Sequence, residues 1–96
     1  QNVKEVYITT VYKNRIKGWN MHTKNTTSIF LINGRINLFY FDKRKKKKTI
    51  DDKFSNVIII PPKVKFAFKG LAKESCILSM SNGIYNINEL KKFEFN

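Results

Sequence analysis

Asn33-Gly34 lies between two apolar runs, Ser28–Asn33 and Ile36–Phe41. An Asn-Gly step flanked by apolar runs of strand length is the strongest short hairpin signal, because both residues tolerate positive φ. The chain is therefore expected to reverse there, pairing residues 28–33 with residues 35–42. Other runs read the same way. Val3–Tyr12, Ile16–His22, Asn56–Pro62, Lys65–Lys69 and Glu74–Ser81 are rich in β-branched, aromatic and apolar residues. Between them stand Lys13-Asn14-Arg15, the polar Thr23–Thr26, Gly70 and Asn82-Gly83, all turn or loop chemistry. Ile84–Ile87 continues the pattern, and Asn88–Lys92 could form a single helical turn capped by Asn88. Seven or eight short strands with no sustained helical period predict an all-β, antiparallel barrel or jelly roll. Ninety-six residues without a repeat or linker make one domain, residues 1–96.

Charge sets the class of partner. The net charge is +12, and Lys43–Lys48 reads KRKKKK. Like charges this dense repel, so the run is expected to be a solvated surface loop, with Asp51 and Asp52 partly neutralising it. A basic balance attracts anions (nucleic acid, anionic lipid or phosphorylated small molecules) without choosing among them. No stretch reaches the roughly 18–20 apolar residues that cross a bilayer, so no membrane partner is expected. Nothing resembles a signal peptide. Cys76 is the one cysteine, so no internal disulfide forms and a reducing, cytoplasmic setting is the simpler expectation.

The spacing of polar residues resembles a cupin barrel. In the metal-binding cupins a first motif places two histidines, a glutamate and a glycine where this chain has Asn20, His22, Thr27 and Gly34. A second motif places a proline, a glycine and a histidine at Pro61, Lys63 and Phe66. A divalent ion needs about three or four converging N, O or S donors. One imidazole, an amide, a hydroxyl and a phenyl ring do not supply them. The expectation is a cupin with no metal and no other cofactor.

Within the cupins the chain resembles the dTDP-4-dehydrorhamnose 3,5-epimerase family and its smaller sugar-epimerase-like members found with polysaccharide gene clusters. Ile16–His22, Ile32–Ile36, Asp42-Lys43-Arg44, Ile60-Pro61-Pro62 and Tyr85 carry the likeness, which spans roughly Val6 to Leu90. The resemblance implies a sugar-nucleotide partner and a homodimer formed by exchange of edge strands. It places Lys17 at an arginine that contacts the diphosphate, and Asn20 at the histidine that is the general base. His22 falls at a glutamine, and Thr27 at a lysine that holds the enolate oxygen. Asp42, Arg44 and Thr49 match an Asp-x-Arg…Thr stretch. Phe66 replaces a second histidine, and Tyr85 aligns with the tyrosine that is the general acid. The departures at Asn20, Thr27 and Phe66 all fall where the family does chemistry.

Epimerisation beside a ketone needs a base for the α-proton, a donor for the enolate oxygen and an acid on the opposite face. An amide is no base, so Asn20 is excluded and His22, the one imidazole, is the candidate. Tyr85 is the candidate acid. Lys17, Asn20, Arg44 and Lys65 are candidate substrate contacts. A lone strand histidine more often serves structure, and Trp19 and Phe66 read as core or pocket wall. Two alternatives stay open. One is a non-catalytic module holding a sugar or a protein. The other, weaker, is a basic barrel binding single-stranded nucleic acid through aromatics and lysines.

Overall fold

The computed structural model describes residues 3–54, 56–83 and 90–92. Among these residues nine strands follow one another: β1 (Glu5–Tyr12), β2 (Ile16–His22), β3 (Thr27–Asn33), β4 (Arg35–Asp42), β5 (Arg44–Asp51), β6 (Ile58–Ile60), β7 (Phe66–Gly70), β8 (Glu74–Ser81) and β9 (Leu90–Lys92). They form a four-stranded sheet, β1-β8-β3-β6, and a five-stranded sheet, β5-β4-β7-β2-β9. Every strand pair is antiparallel. Successive strands mostly alternate between the sheets, the winding of a jelly roll, so the all-β antiparallel expectation holds. Ile29, Leu31 and Ile77 of one sheet meet Ile36, Leu38, Phe66 and Phe68 of the other in one core.

The Asn33-Gly34 expectation is corrected. β3 and β4 belong to different sheets, so Gly34 is a corner between layers rather than the tip of a hairpin. It takes φ +96°, and a Cβ there would lie 2.3 Å from Ser75 Oγ. The corner is stitched on both sides. Gly34 N donates to Asp52 Oδ2 at 2.8 Å. Arg35 N donates to the buried Ser75 hydroxyl at 3.0 Å, and that hydroxyl donates back to Arg35 O at 3.0 Å. An Asn-Gly step fixes the backbone reversal, but burial on both flanks decides whether the strands pair or face each other.

The lysine run is corrected too. It is no loop: Arg44–Asp51 pairs along the whole of β4, turning at Lys43 with φ 67°. β5 is an edge strand, so its ammonium groups reach water on either side of the sheet, and solvation removes the repulsion argument. The apolar run Val57–Ile60 reads as a buried strand, yet β6 is an edge of the other sheet, with Ile60 inside and Ile59 62% exposed. The helical turn expected over Asn88–Lys92 is corrected where the chain is described, since Leu90–Lys92 is strand β9 paired with β2; the expectations for residues 84–89, Tyr85 among them, lie outside the described residues.

Strand direction sorts the molecule into two ends. Connections 13–15, Gly34 and 71–73 lie at one end; connections 23–26 and 61–65 lie at the other, with the Lys43 turn. The second end is called the mouth below.

Candidate functional site

Alternation along the strands and their registers assign each residue to a face. Directly paired residues of antiparallel strands share a face. In the five-stranded sheet, the inner row nearest the mouth reads Lys46, Tyr40, Phe66, Asn20. The next row inward reads Lys48, Leu38, Phe68, Lys17. In the four-stranded sheet the mouth row reads Glu5, Ser81, Thr27, Ile60. Below it lie Tyr7, Ser79, Ile29 and Ile58. The core is therefore apolar in its depth and polar at one end.

His22 is two residues beyond Asn20 on the same side of β2. Its imidazole stacks on the Phe66 ring, with centroids 6.1 Å apart and planes 13° from parallel. Phe66 in turn meets Phe68 edge-on at 5.7 Å. Lys63 N donates to His22 O at 2.7 Å and ties the end of β2 to the β6–β7 connection. The half-buried His22 and Asn20 thus look inward at the mouth, over a phenyl floor. Among the described residues, no three His, Cys, Asp or Glu side chains assemble a metal site.

A bulge between Gly18 and Asn20 makes this possible. Gly18, at φ +129°, sits so close to β7 that a Cβ would be 2.7 Å from Ala67 Cβ. The extra residue turns Trp19 onto the outer face of the sheet. There it is buried against Phe41 at 5.3 Å and Phe39 at 6.5 Å, with Lys45 Nζ 5.8 Å from the ring centroid. Trp19 is therefore neither barrel core nor pocket wall.

The sequence-based candidates separate accordingly. Asn20 and His22 come together. Lys17 shares their face one row deeper, opposite Phe68. Arg44 stands across from Asp42 at the mouth turn. Lys65 does not join them: it alternates with Phe66 onto the outer face, its Nζ 5.5 Å over Phe41. Tyr85 lies outside the described residues.

Residues missed in the sequence complete the mouth. Lys46 and Lys48 are inner-face cations, and Lys46 pairs with Asp42 at 3.1 Å. Leu38, Tyr40, Asp42, Lys48, Ile60 and Val64 line a cavity of about 330 Å³ between β4, β5 and β6. His22 does not line it; β7, with Phe66, stands between. Thr27 is 4% exposed, and its Oγ1 has no hydrogen-bond partner. The Glu5 Oε2 beyond it is also shielded from water. The alternation Glu5, Tyr7, Thr9, Val11 was available in the sequence. Only the register with Ser81 shows that this face lines the barrel.

Such an arrangement offers an imidazole, an amide and a hydroxyl near an apolar floor, with cations at the rim. That chemistry suits a neutral ring carrying an anionic group. A family model described as FdtA: WxcM-like, C-terminal matches residues 1–94. No curated protein matches the chain in sequence. Several solved structures share the fold. NovW, a 4-keto-6-deoxy sugar epimerase from Streptomyces spheroides, superposes with TM-score 0.86 at 11% identity, covering 94% of this chain and 51% of its own. A dTDP sugar isomerase from Desulfovibrio desulfuricans gives 0.89 at 19% identity, covering 98% of this chain and 66% of its own. QdtA, a sugar 3,4-ketoisomerase from Thermoanaerobacterium thermosaccharolyticum in complex with TDP, gives 0.83 at 20%, covering 94% and 66%. The chain spans about half of NovW and just under two thirds of the other two.

Proposed function

The chain belongs to the family described as FdtA: WxcM-like, C-terminal, and on that premise we propose that its barrel mouth binds a nucleoside-diphosphate 4-keto-6-deoxy sugar and abstracts a proton beside the ketone. The observation that carries this reading is the inward pair on β2: Asn20 and His22, side by side over Phe66. His22 is the base. Asn20 hydrogen-bonds the sugar. Lys17 and Arg44 meet the diphosphate, with Lys46 and Lys48 adding positive potential at the same rim. Tyr85 is the acid that the family resemblance suggests. The neighbours' activities on keto sugars and TDP support the substrate class.

The same proposal includes a cytoplasmic role in surface-polysaccharide biosynthesis, a site without metal, and a homodimer. Val6, Ile8, Ile32 and Ile59 give the outer side of the four-stranded sheet an apolar surface that a second copy would cover.

The test is incubation with dTDP-4-keto-6-deoxyglucose in deuterated water, followed by NMR of the ring protons, beside thermal melts with dTDP. Exchange next to the ketone and a rise in melting temperature are expected. Neither exchange nor a rise would remove the reading. The departures at Asn20, Thr27 and Phe66 favour a second reading, a binding module without turnover. Stabilisation by dTDP with no exchange would establish it over the first.

A further inference from the structure

We propose that the outer face of the five-stranded sheet is a peripheral docking surface for a layer of anionic lipid headgroups. That face is turned away from the mouth, across the sheet, and needs no sugar nucleotide to act.

Alternation builds the face. The core takes Ile36 and Leu38 of β4, so Asn37, Phe39 and Phe41 look outward. Register extends them into three rows: Lys45, Phe41 and Lys65; Lys47, Phe39 and Ala67; Thr49, Asn37 and Lys69. Thr49 Oγ1 donates to Asn37 Oδ1 at 2.7 Å, which holds that row on one side of the sheet. The bulged Trp19 packs against Phe41 and Phe39 and completes an aromatic bed. Every row carries at least one lysine. Among the described residues the acid on this face is Asp51, one row further on and opposite Arg35. The lysines of β5 are about 7 Å apart, and the β5 and β7 columns about 10 Å. Those spacings are comparable to a Debye length of about 8–10 Å, so the charges act together.

Two observations choose the occupant. The lysines flank the aromatic column on both sides, an array in two dimensions, which suits a charged plane better than a single polyanionic strand. The rings, moreover, are covered. Trp19 is 3% exposed, and Lys45 Nζ stands 5.8 Å from its centroid and 5.5 Å from that of Phe39. Lys65 Nζ stands 5.5 Å over Phe41. A nucleobase needs an open ring to stack on. A lipid phosphate needs only the ammonium, which a ring positions without neutralising. Phe41, 40% exposed, and Ile16, 39% exposed beside Lys69, set apolar groups among the cations, the composition of an interfacial surface. The outer face of the other sheet, with Val6, Ile8, Ile32 and Ile59, is apolar instead.

The contact is peripheral, since no helix among the described residues is long and apolar enough to cross a bilayer. Each lysine near an anionic leaflet strengthens binding roughly fivefold, and salt removes the effect. Docked through this face, the strands lie parallel to the membrane. The mouth, at the end of the strands, then opens sideways and stays in contact with water.

The test is co-sedimentation with vesicles of phosphatidylcholine alone and of phosphatidylcholine with about 30% phosphatidylserine. The wild type is expected on the anionic vesicles only, and to leave them at roughly 0.5 M salt. Lys47→Gln/Lys69→Gln should bind about 30-fold more weakly. Lys13→Gln/Lys73→Gln removes the same charge from the far-end connections and should stay within about twofold. A wild type that ignores anionic vesicles, or binds neutral ones equally, overturns the proposal. So do equal losses in the two double variants, which would make net charge the cause. Binding to single-stranded oligothymidine without vesicle binding, lost in Lys47→Gln/Lys69→Gln, overturns it in favour of nucleic acid. If that double variant does not fold, Lys47→Gln alone decides: a loss of about fivefold supports the face, and none overturns it. No sugar nucleotide is present, so every result leaves the keto-sugar reading to its own test.

Discussion

Replacing Thr27 by valine exchanges a hydroxyl for a methyl at nearly constant volume. Thr27 is buried between Ser81 and Ile60 in its row, with no partner for Oγ1. An unpartnered buried hydroxyl costs about 1–3 kcal/mol in the folded state. Valine removes that cost and adds a little apolar burial. Taking about 1 kcal/mol, the unliganded Thr27→Val protein should melt about 4–8 °C higher, given the entropy of unfolding of a domain this size. Scanning calorimetry measures the shift. A Thr27→Val protein that melts several degrees lower would show that the hydroxyl is already satisfied in the folded chain. The polar row opposite His22 would then be structural.

Gly34→Ala should destabilise by on the order of 3 kcal/mol, from positive φ together with overlap on Ser75; denaturant midpoints check it, and a neutral result would deny the corner. Lys48→Met should weaken dTDP binding about tenfold with little change in melting temperature. Lys45→Met, on the outer face beside Trp19, should leave binding within about twofold, since its charge lies across the sheet; equal losses in calorimetric titrations at low salt would place the anion outside the mouth.

Much of this was legible in the chain itself. β2 and β8 run over the residues that alternation and turn chemistry mark, Ile16–His22 and Glu74–Ser81. The inward pair on β2 needed only a spacing of two. What was hidden depended on partners far away in sequence. Asn33-Gly34 specifies a reversal, but whether β3 pairs with β4 or faces it depends on β8 and β7, which take the adjoining places. The lysine run looked like a loop because charge density was weighed without the solvation that an edge position provides. Glu5 and Thr27 are unremarkable until Ser81, 76 and 54 positions away, puts them in one row. Trp19 was assigned inward because no composition rule reveals a bulge.

One rim of the barrel carries a further implication for how the protein keeps company with itself. A sheet margin offers unpaired amides and carbonyls to any extended segment that drifts alongside, which is how soluble chains begin to fibrillate. Here that margin is β5, with lysine at four successive positions. A second copy arriving there would align its own ammonium column with the first. Mutual repulsion keeps that flank from templating growth.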